Sequence, residues 1–128
     1  MMVFVVDDEP VIRMLVTRVL AQLGLEAGTF SNADDALPEI EAAGTSAEMV
    51  ITDVTMPGSI DGIGLAERLS LSRPRLPLIV MSGDAAALER AAASCSVCST
   101  LQKPFDVVGL KAAIDSARAK RPAGYSGI

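Results

Sequence analysis

In the stretch VFVVDDEP, three acids, Asp7, Asp8 and Glu9, directly follow an apolar run. Two carboxylates about 5 Å apart at an effective dielectric near 20 repel by roughly 3 kcal/mol, so something positive belongs beside them. Three further polar residues close apolar runs in the same manner: Asp53 ends AEMVITD, Ser82 ends LPLIVMS, and Lys103 comes directly after VCSTLQ. Carboxylates, a hydroxyl and an ammonium brought to one place could bind a cation and handle an anionic group. The elements that carry them decide whether they meet.

Those elements alternate. Short β-branched runs, MVFVV, AEMVIT and LPLIVM, recur with amphipathic stretches between them, the pattern of a parallel sheet covered by helices on both faces. Between positions 10 and 23, Ile12, Leu15, Val16, Val19, Leu20 and Leu23 recur at helical spacing; Pro10 suits the first helical position and Gly24 the stop. LEAGTF reads as a weaker second strand. A second helix opens at Ser31 or Asn32, where Pro38 predicts a kink or a late start, since an interior proline costs about 3 kcal/mol. The third helix spans about 61 to 71 with Ile63, Ala66 and Leu69 inward, and the fourth, AAALERAAAS, has one large apolar anchor, Leu88. VCSTLQ is the last strand, and 106 to 119 form the last helix with Val107, Leu110 and Ile114 on one face.

Composition sets bounds. The 128 residues fit one domain, expected over 1–120 with a loose tail at 121–128. Half of the residues are apolar (50%) and 21% charged, the composition of a compact globule whose core is aliphatic. A formal charge of −5 with scattered Lys and Arg argues against direct nucleic-acid binding. No apolar stretch is long enough to span a bilayer, and the acids arrive too soon for a signal peptide, so no membrane association and a cytoplasmic location are expected. Cys95 and Cys98 form a lone C-x-x-C; with no histidine or further cysteine to complete a zinc site, they read as a loop thiol and a strand thiol.

Five strands alternating with five helices predict an α/β doubly wound sandwich, in which ligands gather at the carboxyl ends of the strands. Asp7 and Asp8, Asp53, Ser82 and Lys103 then all fall on that one rim. A cluster of carboxylates with few other protein ligands favours a hard divalent cation, Mg²⁺ ahead of Ca²⁺. It supplies the positive charge that the opening stretch demands.

Taken in order, VVDDEP, VITDVTMPGSIDG, LIVMSGDA and LQKPF resemble the receiver domain of bacterial two-component response regulators, the CheY-like superfamily, from Met2 to about Ala119. The resemblance implies a flavodoxin-like (βα)5 fold with strand order 2-1-3-4-5. It implies that Asp53 is the phosphoacceptor, that Asp8, Asp53 and the backbone carbonyl of Thr55 ligate Mg²⁺ with Asp7 acting through water, that Lys103 pairs with a phosphoryl oxygen, and that Ser82 hydrogen-bonds another. Alignment and charge neutralisation are what phosphoryl transfer needs, and carboxylate nucleophiles are a known form of covalent catalysis. The only chemistry implied is phosphotransfer to the chain itself and slow self-dephosphorylation. Because the sequence holds no histidine, the phosphoryl group must come from elsewhere: a sensor histidine kinase or histidine phosphotransfer protein is the implied partner, with a downstream protein receiving the signal. A cis Lys103–Pro104 bond is expected.

The same residues have plainer readings. Asp7, Asp8 and Glu9 would favour the start of the helix opened by Pro10 by about 0.3 to 1 kcal/mol. Asp53 and Ser82 suit turns, Lys103 suits a solvated surface, and PGSIDGIG lacks dinucleotide-loop spacing and reads as loop geometry. Two other functions compete: a phosphorylation-independent interaction module that uses the fourth helix, last strand and last helix, and a haloacid dehalogenase-type phosphohydrolase. The latter needs a second Asp after the nucleophile, which DVT lacks. The sequence departs from the family at Thr100, where an aromatic residue usually stands three positions before the lysine. A partial switch, carried by Ser82 and the lightly anchored fourth helix through that same face, is therefore expected. With no output domain after the receiver motifs, a stand-alone regulator is the expectation.

Overall fold

The computed structural model describes residues 2 to 120. Five strands, β1 (Met2–Val6), β2 (Glu26–Phe30), β3 (Ala47–Asp53), β4 (Leu78–Ser82) and β5 (Ser99–Gln102), form one parallel sheet in the order β2-β1-β3-β4-β5. They alternate with α1 (Pro10–Gln22), α2 (Ala33–Ala43), α3 (Gly62–Ser72), α4 (Ala85–Ala93) and α5 (Val107–Lys120), and a short 3-10 turn at Gly44–Ser46 leads into β3. This is the doubly wound architecture expected of the alternating pattern. The central strands are buried on both faces, which is why they read as continuous apolar runs: every residue of β4 is buried, as is β1 from Val3 and β3 from Met49. The edge strand β2 has no buried residue and gave the weaker signal.

Local signals set most helix ends. Pro10 opens α1, and Gly24, at φ 77°, closes it: the Leu25 N–H reaches the Leu20 carbonyl at 2.8 Å and the Gly24 N–H the Ala21 carbonyl at 3.0 Å, which satisfies carbonyls that the helix end leaves over. Asn32 caps α2 by accepting the Asp35 N–H at 2.7 Å. That helix therefore does not start late. It runs on through Pro38, whose ring lies on the exposed side where water can serve the carbonyl left unbonded.

Three inward faces differ from expectation. In α3 the buried stripe is Gly62, Leu65, Ala66 and Leu69, with Ile63 only half-buried. Gly62 must face inward because a Cβ there would overlap the Asp53 carbonyl oxygen at the end of β3. In α4 the fully buried residues are Ala87 and Ala91, not Leu88, so small side chains carry this helix onto β4 and β5. In α5 the core face is Leu110, Ala113, Ile114 and Ala117, whereas Val107 is 46% exposed. Cys98 is buried just before β5, bonded through its N–H to the Leu78 carbonyl, and Cys95 is exposed. Among the described residues no helix is long and apolar enough to cross a membrane. The tail at 121–128 lies outside the described residues.

Candidate metal and phosphoryl site

Sheet register builds the site. Val6 is paired with Thr52, so the residues that follow, Asp7 and Asp53, emerge side by side from neighbouring strands. Asp53 lies opposite Met81 and Ser82 opposite Gln102, which brings the next two strand ends to the same edge. Lys103 follows Gln102, and its N–H donates to the Ser82 carbonyl at 2.9 Å. The Lys103–Pro104 bond is cis, as expected.

Asp7 is completely buried and Asp53 is 7% exposed, whereas Asp8 and Glu9 face solvent. One carboxylate oxygen from each of Asp7, Asp8, Glu9 and Asp53 can be chosen so that all four lie within 4.8 Å of one another. Into this group reaches Lys103, whose Nζ lies 2.8 Å from Asp7 Oδ2, 3.1 Å from Glu9 Oε1 and 3.5 Å from Asp53 Oδ1. Burial alone would lower the lysine, but its hydrogen bonds to Asp7 and Glu9 and the charges of Asp7 and Asp53 outweigh it and raise its pKa. Asp53 goes the other way for a carboxyl: burial first, then the Asp7 charge, pushes it up to about 6, against the pull of Lys103 and of the Val54 N–H. The lysine therefore leaves negative charge in the pocket only partly balanced.

Backbone contacts fix the frame. Asp7 Oδ1 accepts the Glu9 N–H at 2.8 Å, and Arg13 in the first turn of α1 donates to the Asp7 carbonyl at 2.6 Å. Asp53 Oδ1 accepts the Val54 N–H at 3.0 Å, while the Thr52 hydroxyl holds the Asp53 carbonyl at 2.9 Å. Ser82 is buried, and its Oγ accepts the Asp84 N–H at 3.0 Å. A hydroxyl that accepts in this way can also donate. Thr55 is exposed in the loop directly after Val54, and Thr100 is exposed on β5 beside Val80. Thus Asp7, Asp8, Asp53 and Lys103 form one cluster, with Ser82 and Thr55 on the flanking strand end and loop.

Sequence reasoning left out two contacts. Glu9 grips Lys103, a meeting 94 positions apart along the chain with no local signal. Asp34, in the first turn of α2, accepts hydrogen bonds from both the N–H and the hydroxyl of Ser59 in the β3–α3 loop.

The donor set suits a hard divalent cation. Every available ligand atom is an oxygen, two of the carboxylates are buried, and burial first, then the Asp7 charge, raises Asp53. A doubly wound parallel sheet with such a pocket at the carboxyl ends of its strands places the molecule among α/β domains whose site lies on that rim. The chain belongs to the response regulator receiver domain family, whose model matches residues 3–115. It is 34% identical over 119 residues to the DNA-binding transcriptional regulator NtrC of Salmonella typhimurium, covering 90% of this chain but 24% of that protein. It is 33% identical over 129 residues to the transcriptional regulatory protein FixJ of Bradyrhizobium diazoefficiens, covering 97% of this chain and 60% of FixJ. The chain thus spans about a quarter of the length of the NtrC proteins that it matches (24%). Among solved structures, the response regulator TrrA from Thermotoga maritima in complex with Mg²⁺–BeF superposes with a TM-score of 0.80 at 27% identity, covering 91% of this chain and 97% of that one. Phosphorylation on an aspartate, with the phosphoryl group received from a histidine kinase, is general for this family, as is Mg²⁺ at an acidic pocket.

Proposed function

We propose that the chain accepts a phosphoryl group on Asp53 from a histidine kinase or a histidine phosphotransfer protein and passes the resulting change to a downstream protein. The observation that carries this reading is the meeting of Asp7, Asp8 and Asp53 with Lys103 at the carboxyl edge of the sheet. The likeness to a receiver solved with Mg²⁺–BeF supports it.

Asp53 has the position a nucleophile needs, at the end of a buried strand with its backbone held by Thr52 and Gly62 pressed beneath it. In the transfer, an Asp53 carboxylate oxygen forms a bond to phosphorus as the bond to the donor's nitrogen or oxygen breaks and the leaving group keeps that electron pair. Lys103 offsets negative charge on the phosphoryl oxygens, and the Ser82 hydroxyl donates to one of them. Asp8, Asp53 and the Thr55 carbonyl would hold Mg²⁺, with Asp7 acting through a water; bound there, the ion supplies neutralisation of charge on the carboxylates and the phosphoryl group. Hydrolysis of the acyl phosphate by water returns Asp53 to its free state. The output is read from the face made by α4, β5 and α5, with Thr100 leaving the switch partial. A cytoplasmic setting suits the free, buried Cys98 thiol.

Incubation with Mg²⁺ and acetyl phosphate, read by intact mass, should add one phosphoryl group to the wild type and none to Asp53→Asn. Equal labelling of the variant would remove Asp53 from the acceptor role.

A further inference from the structure

The loop between β3 and α3 leaves the site at Val54 and returns at Gly62, whose N–H closes it on the Val54 carbonyl at 2.8 Å. Within residues 55 to 60, the hydrogen bonds to the rest of the described molecule both start at Ser59: its N–H donates to Asp34 Oδ2 at 2.7 Å and its hydroxyl to Asp34 Oδ1. Asp34 belongs to a different helix, 25 positions earlier. The neighbouring Gly58 has φ 118°, a conformation suited to glycine, and a Cβ there would collide with the Asp34 carboxylate. Loop and acid are therefore fitted to each other. The two Ser59 hydrogen bonds, with Arg68 assisting, also hold the Asp34 carboxyl below its ordinary range. Asp34 has no part in the α2 cap, which Asn32 and Asp35 form between them, and it lies outside the acidic cluster of the site.

We infer that Asp34 is a positioning residue: by clamping Ser59 it presets the loop that carries the Thr55 carbonyl beside Asp53, and so sets how readily the pocket binds its divalent cation. This rests on the reading of the pocket given above. The clamp acts on cation affinity, because it lowers the entropy lost when the loop is ordered around the ion, and it leaves the chemical step alone. Two hydrogen bonds to a charged acceptor, released at an exposed site, correspond to a loss of roughly five- to tenfold in affinity.

The test compares wild type, Asp34→Ala, Ser59→Ala, the double variant and Asp34→Asn. Mg²⁺ dissociation constants come from calorimetry, the rate of phosphorylation by acetyl phosphate from mass spectrometry at low and at saturating Mg²⁺, and folding from urea midpoints. Asp34→Ala, which releases both hydrogen bonds, should lose roughly five- to tenfold in Mg²⁺ affinity; Ser59→Ala, which keeps the backbone N–H bond, about two- to threefold; the double variant no more than Asp34→Ala; and Asp34→Asn, which keeps one acceptor, should fall between wild type and Asp34→Ala. At saturating Mg²⁺ all should phosphorylate at the wild-type rate. Ser59→Ala removes no charge and Asp34→Asn keeps an acceptor, so wild-type affinity in Ser59→Ala together with the full loss in Asp34→Asn would reduce the residue to a distant electrostatic influence and overturn the clamp. Wild-type affinity in both single variants would also overturn it while leaving the function intact. A wild type that takes up neither Mg²⁺ nor a phosphoryl group would overturn the function and the clamp together.

Discussion

Asp53 is held in tension between its neighbours. Its carboxyl titrates near 6 in the folded chain against 3.8 ordinarily, because burial and the Asp7 charge outweigh Lys103. The folded state therefore keeps a proton that the unfolded chain has given up, so stability falls as the pH rises from about 4 to 6 and the penalty is fully present above that window. Asp53→Asn removes the penalty. Without divalent cation, this variant should gain on the order of 1–2 kcal/mol over wild type at pH 7.5, once solvent screening at the pocket mouth is allowed for, and almost nothing at pH 4. Urea denaturation at the two pH values measures this. A variant less stable at pH 7.5 would mean that the pairing with Lys103 governs the site. Asp53, the proposed phosphoacceptor, is thus a residue kept at a cost to the fold, as functional positions commonly are.

At the scale of elements, the helices differ in how firmly they are anchored. α5 buries Leu110 and Ile114 together with two alanines, whereas α4 buries only Ala87 and Ala91. Side chains of that size contribute little apolar area, so α4 should open at lower cost. Native-state hydrogen exchange should find the amides of Leu88 to Ala93 less protected than those of Leu110 to Ala117, and Ile114→Ala should cost about 2–5 kcal/mol. Equal protection of the two helices would remove α4 as the mobile part of a switch. Pro38 makes a related point. A local rule predicted trouble in α2, yet an Asn32 cap, Asp34 and Asp35 in the first turn, and the buried Ala33, Ala36 and Ile40 carry the helix through it. Tertiary burial outweighs one missing hydrogen bond.

For the molecule as a whole, fold and site are a single thermodynamic object, since the carboxylates meet only when β1 and β3 are paired in register. A cation that binds the folded state alone must then stabilise it by mass action. At a hundredfold excess over its dissociation constant the gain is about 2.7 kcal/mol, so Mg²⁺ should raise the Tm of the wild type by several degrees, and Asp8→Asn should lose most of that rise. A melting curve indifferent to Mg²⁺ would contradict the pocket's assignment. The sequence by itself determined the strands, their ends and the residues placed there, because an apolar run that stops at an acid, a serine or a lysine is a local pattern and the carboxyl-edge rule then collects them. Only the tertiary structure decided which helix faces turn inward, with Gly62 and Leu65 rather than Ile63 in α3, and Ala87 and Ala91 rather than Leu88 in α4. It alone brought Glu9 to Lys103 and Asp34 to Ser59. Periodicity says that a helix has two sides. Which side is buried, and which distant residues touch, depends on how closely the neighbouring backbone approaches, and that distance is set by packing across the sheet.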